Sequence, residues 1–302
     1  MFEGTEGIRG SIPPLITPFL KNEVDYASYA ELVNFHLAEG SHGIFVNGTT
    51  AEPSTLSVEE RNNIVDIAVK ESSGKIIVVA ATGSQSLAET KILSNHAAKA
   101  GVDALLIVTP YYIRPSQAGL VEYFLEVTKE INIPWMIYHI PGRAAVSVTI
   151  DTILTLKKSS TTFIGMKHAV NDLGFVSECL NVLPDFKVFV GLEELSFPEL
   201  AVGAVGLMNA VGNLRPRLLA DMCQAVWDND LNLGQQIHQQ LFELNESVFY
   251  ETNPTPIKYM MKRLGILKNN EHRLPMISAN KDLEQRLDGV LERAGLLKGL
   301  SQ

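Results

Sequence analysis

Lys167 closes the apolar run Phe163-Ile-Gly-Met166. An ammonium taken out of water loses its hydration, so burial favours the neutral amine, and a neutral amine is a nucleophile. At the mouth of a barrel such a lysine can form a Schiff base with a keto acid. The plainer reading is a stem laid along the strand with its head in water. Other polar residues decide between the two, because several end apolar runs in the same way. Asn47-Gly48-Thr49-Thr50, Thr109-Pro110-Tyr111-Tyr112, Tyr138-His139 and Gly191 all do so. Gly48 lets backbone approach a ligand, and the N–H and hydroxyl groups of Thr49 and Thr50 can bind a carboxylate. Tyr138 can pass a proton to and from the carbinolamine that precedes an imine. Tyr111 and Tyr112 are expected to flank the same mouth. Each feature also has a structural reading. Gly-Thr-Thr can be a tight turn, Thr-Pro-Tyr-Tyr an aromatic loop, His139 a packing residue and Glu52 a helix-start carboxylate.

These residues meet only if the fold brings the strand ends together. Apolar runs at 12–17, 43–47, 75–80, 104–108, 135–139, 163–167, 187–190 and 205–208 read as strands. Stretches of helical period lie between them, at 26–39, 58–72, 87–100, 116–131 and 149–158. In the first, Tyr29, Leu32, Val33 and His36 share one face. Gly40, Gly74 and Gly101 fall where helices should stop. Eight β-then-α units predict parallel strands closed into a (β/α)8 TIM barrel, with the active site at the strands' C-terminal ends. An open doubly wound sheet is the weaker reading, since no G-x-G-x-x-G follows the first strand. Helical patterns at 214–228, 231–249, 255–264 and 281–294 exceed what one closing helix needs. We therefore expect a barrel over residues 1–225 and a C-terminal helical extension over 226–302.

With 302 residues, the chain has the length of a single α/β barrel. A net charge of −9 argues against nucleic acid as a partner, though an anionic substrate needs only a local positive site. No apolar run approaches the roughly 18 residues of a membrane span. The first six residues lack a basic-then-apolar leader. Cys179 and Cys223 lack metal-ligand spacing, as in a reduced cytoplasmic chain, and no metal site is expected.

Taken in order, five segments resemble the pyruvate-dependent class I aldolase and lyase family of dihydrodipicolinate synthase and N-acetylneuraminate lyase. They are Gly48-Thr-Thr-Ala-Glu-Pro-Ser-Thr-Leu-Ser57, Thr109-Pro-Tyr-Tyr-Ile-Arg-Pro-Ser116, Tyr138-His-Ile-Pro-Gly-Arg143, Gly165-Met-Lys167 and Asn253-Pro-Thr-Pro-Ile-Lys258. The resemblance implies that Lys167 forms the Schiff base and Tyr138 shuttles protons. It gives Thr49 and Tyr112 the rest of the relay, Tyr112 arriving from a neighbouring subunit of a homotetramer built as a dimer of dimers. Thr50 would bind the pyruvate carboxylate, with Met208 and Gly191 beside it. Arg143 would hold the aldehyde's carboxylate, which favours the synthase-like branch. The substrates implied are pyruvate and an aldehyde, aspartate semialdehyde first among them. No cofactor is implied, because the protonated imine is the electron sink.

Some positions depart from the family pattern. Ala51 stands for a glycine, His139 for an asparagine, His168 for a glutamate and Asn209 for a small residue. Ala51 is expected to add a methyl beside the carboxylate turn. The other three are expected to alter polar contacts near the mouth, which leaves another aldolase or keto-acid dehydratase open. A non-catalytic pyruvate-binding barrel is the reading from another class. Val58, Arg61 and Gln85 stand where lysine-regulated members carry two histidines and an asparagine, so lysine inhibition is expected to be weak or absent.

Overall fold

A computed structural model describes residues 7–297; the six-residue start read above for a leader lies outside the described residues. Its strands are β1 (Gly10–Ser11), β2 (Phe19–Leu20), β3 (Glu23–Val24), β4 (Gly43–Val46), β5 (Ile77–Ala81), β6 (Ala104–Val108), β7 (Trp135–His139), β8 (Phe163–His168), β9 (Lys187–Val190) and β10 (Gly206–Leu207). All but β2 and β3 form one parallel sheet in the order β1-β10-β9-β8-β7-β6-β5-β4. Beyond β1 the chain pairs with β4, where Phe45 N–H donates to Pro13 O and Leu15 N–H to Phe45 O, each at 2.9 Å. That contact closes the barrel.

Here the first expected strand moves. The ladder assigned to it is Gly10–Ser11 rather than 12–17, because Pro13 and Pro14 have no N–H to give. The antiparallel β2–β3 hairpin was not foreseen. Helices Tyr26–Glu39, Val58–Ser72 and Leu87–Ala100 start on Asp25, Ser57 and Ser86, whose side chains accept from the first-turn N–H groups. Gly40 and Gly101 end the first and third with left-handed backbone, whereas Ser73 rather than Gly74 caps the second. Helix Leu173–Val182 follows β8. The expected helix at 231–249 is broken into Leu231–Gln240 and Phe242–Ser247.

The core has two parts. One fills the barrel with side chains such as Ile12, Phe45, Val79, Leu106, Met136, Phe189 and Met208. The other lies between the strands and the helices and includes a stack of Phe124, Trp135 and Phe163. Since side chains alternate along a strand, adjacent residues serve different cores. Tyr138 belongs inside, and Ile137 outside.

Candidate active site

Lys167 and Tyr138 are register partners on β8 and β7, at the strands' C-terminal ends. Lys167 is 4 % exposed, and its Nζ lies 4.6 Å from the Tyr138 ring centre and 5.1 Å from that of Phe45. Both rings offer the amine their faces, a setting that accepts a cation and excludes water. The Tyr138 hydroxyl meets Thr49 Oγ1 at 3.3 Å. Gly48 is required for a reason other than ligand approach: a Cβ there would sit 2.5 Å from the Phe45 ring.

The Thr49-Thr50-Ala51 turn is a single 3-10 turn entered through Asn47 and left through Glu52, both in left-handed backbone (φ 58° and 56°). Such backbone is costly for residues with a Cβ, so the surroundings must hold it. Thr17 Oγ1 donates to Ala51 O at 2.8 Å, and Asn253 Nδ2 donates to Thr50 Oγ1 at 2.9 Å. Glu52 does not start a helix in the way expected of it. Its buried carboxylate takes Lys258 Nζ at 2.6 Å and His272 Nδ1 at 3.0 Å. Burial alone would raise its pKa, but the His272 and Lys258 donors together hold it below the usual carboxylate range. Burial brings Lys258 down to about 8 against the pull of Glu52. Residues from the C-terminal segment, Lys258 on helix Thr255–Arg263 and Asn253 and His272 in the loops beside it, thus fix a turn at the barrel's second strand.

Opposite the turn, Thr50, Lys167, Gly191, Glu193, Met208 and Phe249 line a cavity of about 60 Å³. A Cβ at Gly191 would lie 3.0 Å from Lys167 Cε and 2.8 Å from His168 O, so only glycine leaves the lysine its room. Glu193 was not foreseen. It is 2 % exposed, its Oε1 accepts from Ala210 N–H at 2.5 Å, and burial pushes its pKa up to about 7 against the pull of Ala210 and Lys167. Its only sequence signal was a carboxylate two residues beyond Gly191.

A wider cleft of about 580 Å³ continues outward from Thr49, Tyr138 and Arg143 to Tyr111, Gln85 and Arg61. Arg143, in the one-turn helix Pro141–Ala144, is exposed, and its guanidinium has no hydrogen bond or ion pair among the described residues. Arg61 is 4 % exposed and donates to Ala81 O at 3.1 Å, with Glu89 at 3.5 Å.

Tyr111 lines the cleft, while Tyr112 lines neither cavity of its own chain: it is 87 % exposed, with φ 77°. Three expectations need correction. His139 and His168 do not reach the mouth. They follow Tyr138 and Lys167 by one residue and therefore face outward, against Phe175 of helix Leu173–Val182. Asn209 is buried behind the loop after β9, bonded to Ser196 Oγ at 2.7 Å. Among the described residues, no three His, Cys, Asp or Glu side chains gather as a metal site needs.

Comparison with known proteins decides the family. The model of the dihydrodipicolinate synthetase family matches residues 7–294. The chain belongs to this family. It is 38 % identical over 291 residues to a 4-hydroxy-tetrahydrodipicolinate synthase of Thermus thermophilus, covering 96 % of this chain and 97 % of that one. The crystal structure of dihydrodipicolinate synthase from Aquifex aeolicus matches with a TM-score of 0.93 at 36 % identity, covering 95 % of this chain and 98 % of that one. A monomeric dihydrodipicolinate synthase variant matches at 0.92 and 30 % identity, with 96 % and 98 % covered. The family's barrel is thus the fold of this chain.

Proposed function

We propose that the protein is a Schiff-base lyase that condenses pyruvate with aspartate semialdehyde, as a 4-hydroxy-tetrahydrodipicolinate synthase does. The observation that carries this reading is Lys167, buried inside the barrel beside Tyr138, whose hydroxyl meets Thr49. The Lys167 amine adds to the keto carbon of pyruvate, and water leaves as the imine forms. Tyr138, backed by Thr49, supplies and removes the protons of that exchange. The iminium then draws electrons from the methyl group, which loses a proton to give an enamine. The enamine carbon attacks the aldehyde carbon, the new alkoxide takes a proton, and the semialdehyde's amino group then adds to the imine carbon, closing the ring and releasing Lys167 as the free amine. Thr50, oriented by Asn253, holds the pyruvate carboxylate; Met208 and Gly191 shape the space beside it. Arg143 suits the second carboxylate, because a guanidinium can make two parallel bonds to one. The turnover needs no cofactor beyond the lysine.

In this reading residues 1–225 are the catalytic barrel and 226–302 an extension that reaches back through Asn253. Tyr112 completes the proton relay of a neighbouring subunit. Its strained backbone and exposure beside Ile113, itself 65 % exposed, fit such a donation. The assembly is then at least a dimer, and by family resemblance a tetramer in the cytoplasm. Among the described residues no helix is long and apolar enough to cross a membrane. Because His139 and His168 face away from the mouth, they no longer argue for a different aldehyde. Lysine inhibition is weak or absent, since the buried Arg61 guanidinium repels an ammonium in that arm of the cleft. Pyruvate consumption measured against a panel of aldehydes tests the proposal: aspartate semialdehyde turns over fastest, and turnover of other aldehydes without it refutes the assignment.

A further inference from the structure

The two outward histidines are joined to each other and to the loop that carries Arg143. His139 Nδ1 and His168 Nδ1 lie 3.2 Å apart, and His139 Nε2 lies 3.3 Å from the Val148 N–H. A backbone N–H can only donate, so His139 Nε2 is the acceptor and the proton of that ring sits on Nδ1. Nδ1–H then donates to His168 Nδ1, which fixes the proton of His168 on Nε2. No other arrangement of neutral rings satisfies both contacts. His139 Nδ1–H is thus taken up by His168 while Nε2 accepts from Val148; the His168 Nε2 has no hydrogen-bond partner among the described residues. His168 itself is held flat on Phe175, with ring centres 5.3 Å apart and planes 10° from parallel.

The His139–Val148 bond closes the base of the loop that leaves β7, makes the Pro141–Ala144 turn with Arg143 on it, and returns. Gln117 holds the residues on either side of Val148, through Ser147 O at 2.7 Å and Thr149 N–H at 3.1 Å. The Arg143 N–H donates to Ile140 O at 3.0 Å within the turn, but its guanidinium has no partner among the described residues, so where the turn sits depends on how the loop is anchored.

We infer that His139, its Nδ1–H taken up by His168, is a positioning residue that seats the Arg143 loop and so governs affinity for the aldehyde's carboxylate without touching either substrate. This rests on the assignment of Arg143 above. Two variants separate the arms of the device. In His139→Asn the amide nitrogen takes the place of Nδ1 and keeps the bond to His168, but nothing reaches Val148. In His139→Gln the amide oxygen takes the place of Nε2 and keeps an acceptor for Val148, while the bond to His168 is lost.

The experiment measures KM for aspartate semialdehyde, and borohydride trapping of pyruvate on Lys167, in wild type and both variants. His139→Asn raises the aldehyde KM about tenfold, the scale of one lost hydrogen bond; His139→Gln restores most of it, and trapping is unchanged in both. Equal losses in the two variants, an unchanged KM in His139→Asn, or a parallel fall in trapping would each overturn the inference, because a role in packing alone predicts them. Absence of trapping in the wild-type enzyme would instead refute the Schiff-base reading.

Discussion

The two loops proposed to hold carboxylates are built differently. The Thr49–Ala51 turn is largely buried and held by the charged Glu52–Lys258–His272 cluster at its exit together with neutral bonds from Asn253 and Thr17. The Arg143 loop is exposed and fixed by neutral bonds to His139 and Gln117. A buried charge that loses its partner is left uncompensated, whereas losing one neutral hydrogen bond costs less. The difference teaches that the turn proposed for pyruvate is held in part by buried charge, whereas the loop proposed for the aldehyde is held by neutral bonds.

The comparison can be broken first at its charged half. Glu52→Gln leaves Lys258, 1 % exposed, without its counter-charge, and removing one partner of a buried pair costs about 3–5 kcal/mol. A urea midpoint that falls accordingly, with a raised KM for pyruvate in whatever folds, is the expected result; an unchanged midpoint would mean that the cluster anchors nothing. The neutral half should respond in affinity rather than stability. Arg143→Leu removes charge-assisted bonds of about 1.5–3 kcal/mol, so KM for the semialdehyde rises roughly tenfold to a hundredfold while the urea midpoint stays put. A matching rise in pyruvate KM would assign Arg143 to the wrong carboxylate.

A smaller effect sharpens the contrast through pH. Burial, with the opposed partner ring also lowering His139, holds His139 and His168 at about 4, well below the 6.5 of an exposed histidine. As pH falls below 6.5 the unfolded chain takes up protons that the native pair refuses, so the pair's contribution to stability declines until about pH 4. Glu193 and Glu199, raised by burial to about 7 and 8, act in the opposite sense. The informative quantity is therefore the difference between wild type and His139→Asn/His168→Asn in urea unfolding. It should shrink between pH 6.5 and 5, and a constant difference would show that the rings are not held neutral.

Much of this was legible in the sequence. Lys167, Tyr138 and Thr49 come together as expected because each ends an apolar run, and a closed barrel gathers such ends at one rim. The parity of His139 and His168 was also readable, since consecutive residues of a strand cannot both face inward. Other features were not readable. Glu52 and Lys258 are separated by 206 positions, and no local pattern announces their pairing. A lysine within Ile257-Lys-Tyr-Met-Met261 was nevertheless a sign that a buried partner existed. Pro13 and Pro14 moved the first strand because a ladder requires N–H donors, which a hydrophobic run does not guarantee.

The central claim is that Lys167 bonds to pyruvate. Incubation with pyruvate and borohydride, followed by peptide mass mapping, tests it most directly. The account predicts one adduct, on the peptide containing Lys167, lost in Lys167→Ala and formed much more slowly in Tyr138→Phe. An adduct on another lysine, or none on the wild-type enzyme, would contradict it.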